Sequence, residues 1–258
     1  MLLTALALFA AQAAQAVTAP KGSSEQARLT LCLDQARTDP ATAITTAGLW
    51  LNEAHDAGRA LPQQCLGQAY VSLLRWDAAR TAFLSARDSA LAGDYAVRAR
   101  LGAMAGNAAI AGNDLAGALA DLDQAAADAG LAGDKALAGS IEGDRARVLV
   151  GLKRESEAAV ALERAQADAP QDADVWLLSA TLARRTGDLK AAQAHIATAA
   201  GLAPQDPAIA LEAGVIAELA GNDEAARKNW NAVVALAPDA PEAQTARTYL
   251  AETGVTPK

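Results

Sequence analysis

The chain has 258 residues, with 30 acidic against 22 basic side chains and a net charge of -8. Its isoelectric point is about 4.8 and no basic cluster stands out, which argues against a nucleic-acid binder, since phosphate contacts need Lys and Arg. It is 52% hydrophobic but only 3% aromatic, so the apolar mass is mostly alanine and leucine, which favours helices, and two Cys with two His leave little material for a metal site.

In chain order, "MLLTALALFAAQAAQA" is an uncharged apolar run closing on Ala14-Gln15-Ala16. The pattern predicts a secretory signal peptide over residues 1–16, cleaved after Ala16, and hence a periplasmic protein. The other reading is a buried helix of the fold, which would leave the protein cytoplasmic. Residues 17–23 read as a linker, and no later stretch is long and apolar enough to predict a stable membrane span.

From Leu29 to Gly58 the pattern is two helices with Asp39-Pro40 between them, an N-cap followed by Pro at the first helical position. Cys32-Leu33-x-Gln35-Ala36 echoes Cys65-Leu66-x-Gln68-Ala69 in the next unit. That second unit carries Leu66-Gly67, then Tyr70, then Ala79 and Phe83. A third places Ala118 and Leu122 in the corresponding columns. The glycines from Gly130 to Gly143 follow no strand and lead into no phosphate-loop Lys-Ser/Thr, so they predict a loose connection between helices. Units starting near 60, 99 and 139 are longer than the later ones, which predicts extended second helices or connections there.

Further on, Pro170, Pro204 and Pro238 fall 34 residues apart. "TGDLKAAQAHI" aligns with "AGNDEAARKNW", superposing Gly187 on Gly221, Ala192 on Ala226 and Ile196 on Trp230. Ala180, Ala183, Ala192 and Ala199 form a small-residue face that lets antiparallel helices approach closely. Residues 239–252 begin a last helix with no partner, suited to capping the array, before a tail at 253–258.

A 34-residue helix–turn–helix period with L-G-x-x-Y…A-x-x-x-F resembles the tetratricopeptide repeat. The departure is the Trp that precedes this motif in the family; Gln63 stands in its place. The resemblance implies an all-α, right-handed solenoid of about six antiparallel helix pairs over residues 24–238, closed by the capping helix. It also implies that the first helix of each unit lines a concave groove. At one register that groove carries Gln35, Gln68, Asn107, Arg147, Thr181 and Val215, with Gln64, Arg100 and Arg184 on the same stripe. This column is neutral to basic on an acidic protein. It suits hydrogen bonding to an extended peptide and favours a carboxylate-bearing partner. The candidate groove set is therefore Gln64, Gln68, Arg100, Asn107, Arg147, Thr181 and Arg184. The Lys/Asn carboxylate clamp of the chaperone-binding members is not present, because no Lys occupies the column.

No catalytic constellation is found. His55 and His195 stand alone, the serines lack a nucleophile-elbow context, and the four Trp fall at packing positions. The expectation is a non-catalytic scaffold, without cofactor, that binds another protein or peptide. The alternative is an assembly protein that oligomerises through its edges or convex face. Cys32 and Cys65 lie in neighbouring first helices. Export would favour a bridge between them, yet stacked helices lie roughly 8–10 Å apart, beyond the roughly 7 Å a disulfide tolerates. The competing arrangement is two buried free thiols.

Overall fold

A computed structural model describes residues 21–253. The expected signal peptide at 1–16, the first part of the expected linker at 17–23 and the tail beyond Thr253 lie outside the described residues. The described chain is a succession of antiparallel helix pairs. They are α1 (Lys21–Thr38) with α2 (Pro40–Glu53), α3 (Ala60–Ser72) with α4 (Trp76–Ser89), and α5 (Tyr95–Ala111) with α6 (Leu115–Ala132). There follow α7 (Lys135–Gly151) with α8 (Glu155–Asp168), α9 (Ala173–Arg185) with α10 (Leu189–Leu202), and α11 (Pro207–Leu219) with α12 (Asp223–Leu236). The last helix, α13 (Pro241–Thr253), packs on α12 and α11.

From α3 onward, each of the five pairs closes on one recurring contact. A small residue of the first helix lies against a large residue sixteen positions on: Gly67 on Phe83, Gly106 on Leu122, Ala146 on Leu162, Ala180 on Ile196 and Gly214 on Trp230. Where the large residue presses closest the small one is glycine. A Cβ on Gly67 would meet the Phe83 ring at 2.4 Å, and one on Gly214 would meet Trp230 Nε1 at 2.1 Å. Ala180, Ala192 and Ala199 are fully buried, as the small-residue face requires.

The turn inside each pair also repeats. Seven residues after that small position, the chain takes a left-handed φ at Leu74, Asn113, Lys153, Gly187 and Gly221. The next residue is an N-cap in three of the five, Asp114, Asp188 and Asn222, each accepting from the backbone N–H three residues on. Inside the first pair Asp39 caps α2, and between pairs Asp94, Asp134, Asp172 and Asp206 cap the first helices that follow them, with Pro40 and Pro207 at the first helical positions.

Two expectations need correction. The extra length of the middle units lies partly in first helices: α5 and α7 have 17 residues and α6 has 18, against 13 or 14 in the regular pairs. The glycine-rich stretch from Gly130 to Gly143 is not a loose connection. Gly133, at φ 68°, ends α6 and Asp134 caps α7, so Gly139 and Gly143 are helical. Gly139 is small because Ala169 lies against it; a Cβ there would meet the Ala169 side chain at 2.5 Å.

First helices approach first helices at four of the five junctions: α1 meets α3, α5 meets α7, α7 meets α9 and α9 meets α11, while α3 and α5 come together through side chains such as Val71 and Met104. The backbones of second helices do not approach one another comparably, although the long side chains of Arg80 and Arg87 reach from α4 to α6. Close approach on one side and splay on the other curve the stack, so the first helices form its inner face.

Candidate functional site

Two apolar sockets open on the inner face. One lies where α3 and α5 meet, with a volume of about 220 Å³, lined by Gln68, Val71, Trp76, Phe83, Met104, Asn107 and Ala108. The other lies where α7 and α9 meet, with a volume of about 170 Å³, lined by Ala146, Arg147, Val150, Leu162, Leu178, Thr181, Leu182 and Arg185. They are the same place in two different units. Counted from the small residue of each first helix, Gln68 matches Arg147, Val71 matches Val150, Met104 matches Leu178 and Asn107 matches Thr181.

The structure thus brings Gln68 to Asn107 around one socket and Arg147 to Thr181 around the other. Gln64 is half-buried on α3 and Arg100 is exposed on α5, and neither lines a socket. Arg184 is also outside, engaged by Glu212 through Nε–Oε1 at 2.6 Å and Nη2–Oε2 at 3.3 Å.

The intervening junctions are closed by polar bridges. Asp144 of α7 stands where Met104 and Leu178 stand in α5 and α9. Asn107 donates to it at 2.9 Å and Arg147 at 2.5 Å. Between α9 and α11, Glu212 takes the same position and binds Arg184. At the N-terminal junction that position is Cys65, bonded to Cys32 with a Cα–Cα separation of 6.0 Å. Cys32 and Cys65 face each other across the α1–α3 contact as two small buried side chains, so their Cα atoms come within bridging distance. One column, Cys32, Cys65, Met104, Asp144, Leu178 and Glu212, therefore sets the chemistry of each junction.

The groove is less uniformly basic than its polar column implies. Asp144 and Glu212 offset Arg147 and Arg184, while Arg100 and Arg185 are exposed and make no ion pair among the described residues. Sequence reading missed Asp144, Glu212 and Arg185 because they sit one helical turn, three or four positions, from the register it followed. The 34-residue alignment itself places Arg185 of α9 opposite Leu219 of α11 and so could have flagged it.

On the outer face, Arg80 of α4 hydrogen-bonds Asp121 of α6 at 2.7 Å and pairs with Asp114 at 2.8 Å. The bond to Asp121 holds the Arg80 guanidinium more firmly in its charged form. One heptad on, Arg87 bonds Asp128 at 2.6 Å, both buried. His195 lies in a cleft of about 650 Å³ between α8, α9 and α10, its ring 5.6 Å from that of Trp176. Burial pushes its pKa below the ordinary value, and Asp188 opposes that shift. Among the described residues no three of His, Cys, Asp and Glu converge as metal ligands, and no helix is long and apolar enough to cross a membrane.

No family model and no curated protein matches the sequence. Solved structures do match. PilW, described as a widely conserved type IV pilus biogenesis factor, is 19% identical with a TM-score of 0.68, covering 88% of this chain and 99% of its own. PilF of Pseudomonas aeruginosa is 16% identical with a TM-score of 0.68, over 88% of this chain and 98% of its own. YrrB, described as a TPR protein with an unusual peptide-binding site, is 19% identical with a TM-score of 0.52, over 78% of this chain and 97% of its own. With the repeated helix pairs and their inner-face stacking, these likenesses establish the fold: the chain is a right-handed tetratricopeptide-repeat solenoid of six helix pairs closed by a C-terminal helix.

Proposed function

We propose that this protein is a non-catalytic interaction scaffold whose concave face takes an extended segment of a partner protein. The observation that carries the reading is the pair of apolar sockets, each rimmed by groove residues: Gln68 with Asn107, and Arg147 with Thr181. Apolar depressions with a few polar groups at their mouths are how a groove binds side chains while hydrogen-bonding a backbone. The groove set Gln64, Gln68, Arg100, Asn107, Arg147, Thr181 and Arg184 is retained, with Arg185 added. The structural likeness to YrrB, with its peptide-binding site, supports this use of the fold.

The reading includes export, with cleavage after Ala16. The signal-like segment, the Cys32–Cys65 bond and the likeness to a pilus biogenesis factor all support an oxidising envelope compartment. N-terminal sequencing of native protein tests it: Val17 is expected, and Met1 in a cytosolic fraction would overturn it.

The groove is tested by capturing partners from envelope extract with the wild type and with Arg185→Glu. Arg185 makes no ion pair among the described residues, so reversing its charge strands none of their acids. A loss of roughly 2 kcal/mol in partner affinity at unchanged helicity is expected. Undiminished binding by a folded Arg185→Glu and by Arg147→Glu would move the interface off this face.

A second reading, self-assembly through the N-terminal edge, is favoured by Leu31 and Leu49, which are 70% and 60% exposed on the first helix pair. Sedimentation across a concentration series separates the two, since a groove scaffold stays monomeric when alone.

A further inference from the structure

Resting on the groove reading, we infer that the partner segment is read by two apolar anchors about five or six residues apart, and that the anchor seated between α7 and α9 is flanked by a carboxylate. Open and closed junctions alternate along the inner face. Met104 and Leu178 leave their junctions open as sockets, and Asp144 and Glu212 close the junctions that follow each of them. The open sockets are therefore two first-helix steps apart, with a polar bridge between them.

Stacked helices lie about 8–10 Å apart, so two steps span roughly 16–20 Å along the groove. An extended chain rises about 3.3 Å per residue, which puts five or six residues between side chains that enter the two sockets. An enclosed cavity of about 150 Å³ holds a benzene ring, so volumes of about 220 Å³ and 170 Å³ each have room for one large aliphatic or aromatic side chain. Between the anchors, the bridge at Asp144 offers no apolar surface, so the intervening residues are polar or small.

The sockets differ at their rims. The α3–α5 socket is rimmed by the amides Gln68 and Asn107, whereas Arg147 and Arg185 flank the α7–α9 socket. Arg185 has no acidic partner among the described residues, and Arg147 shares Asp144 with Asn107. A carboxylate beside the second anchor matches that charge, whether it belongs to Asp, to Glu or to a chain terminus.

The test pans a displayed library of random peptides, each about twelve residues and so roughly 40 Å when extended, against the full chain. Peptides enriched for two large apolar residues five or six apart, with an acid beside one of them, are the expected result. Met104→Asp and Leu178→Glu copy the closed junctions, and each should weaken such peptides at least tenfold. Met104→Ala and Leu178→Ala enlarge the sockets without adding charge, and should shift the selected anchors to larger side chains. Arg185→Glu should remove the preference for the acid alone. Peptides with a single anchor or another spacing that still lose binding in Arg185→Glu would overturn the two-anchor rule and leave the groove standing. Peptides indifferent to all of these variants, or no enrichment, would overturn both.

Discussion

Trp230 is fully buried and sits over Gly214 so closely that a Cβ would lie 2.1 Å from its Nε1 and 2.4 Å from its Cδ1. Gly214→Ala must push the indole away, and its other side is held by Tyr249 at 5.2 Å between ring centroids. Overpacking a tight core contact costs about 1–3 kcal/mol, and a rigid bicyclic neighbour belongs at the upper end. Trp230→Ile alone leaves a void and costs a comparable amount or more, about 2–4 kcal/mol by analogy with other large-to-small changes. One unit upstream, however, Ala180 faces Ile196 in the equivalent places. The double variant rebuilds that pair, so its cost should fall short of the sum by about 1–2 kcal/mol. Denaturant unfolding followed by far-ultraviolet circular dichroism reads the cycle without relying on the removed Trp. The last pairs of a repeat array open partly independently, so amide exchange in α11–α13 should report the same coupling. Strict additivity would mean that the sixteen-residue contact does not set the separation of the two helices, and the packing argument would fail.

Other outcomes follow from particular contacts. Asp128→Ala leaves the Arg87 guanidinium, whose side chain is 5% exposed, with only a long 3.5 Å contact to the exposed Asp88 and should cost about 3 kcal/mol, whereas Arg87→Met with Asp128→Leu should recover most of that in thermal unfolding. Removing the Cys32–Cys65 bond, which closes a separation of 33 residues, should cost roughly 3–4 kcal/mol, with faster amide exchange confined to α1–α3; uniform loosening would refute a local staple. His195 should titrate below 6.5 by NMR. Its folded pKa is depressed, so its stabilising contribution is present above pH 6.5 and is lost as pH falls through the lower folded value; His195→Gln should flatten that slope.

Much of the fold could be read from the chain because it is written several times. Pro170, Pro204 and Pro238, the Gly187–Gly221 match and Asp206-Pro207 mark turns and caps where the structure has them. What stayed hidden were positions where the same backbone is built from a dissimilar residue. Leu74, Asn113 and Lys153 adopt the left-handed turn that Gly187 and Gly221 advertise, at a strain of about 1–2 kcal/mol for each non-glycine, which packing offsets. Helical Gly139 was misread because its smallness answers to Ala169, thirty residues away. The polar groove column was legible, but its electrostatics were not. Asp144 and Glu212 sit one turn before the register positions on α7 and α11, and the bonds they make to Asn107 and Arg184 cross a junction between helices that the sequence alone does not align.

That crossing bears on how the proposed groove would engage a carboxylate. Arg147 is 48% exposed and pairs with Asp144 three residues before it on the same helix. Asp144 is 17% exposed, but the arginine end of the pair is half in solvent, so Arg147 can turn to a partner's carboxylate at little cost to itself. Asp144 keeps Asn107 as a donor when Arg147 turns away, so it is not left bare. Arg184 differs: it is itself only 24% exposed and binds Glu212 through two nitrogens, so freeing it would leave a largely desolvated charge. Of the four arginines on this face, Arg184 is held and Arg100 lines no socket, so Arg147 and Arg185 are the pair that an incoming acid can recruit beside an anchor. Both stand at the α7–α9 socket, whereas Arg184 serves to hold α9 against α11.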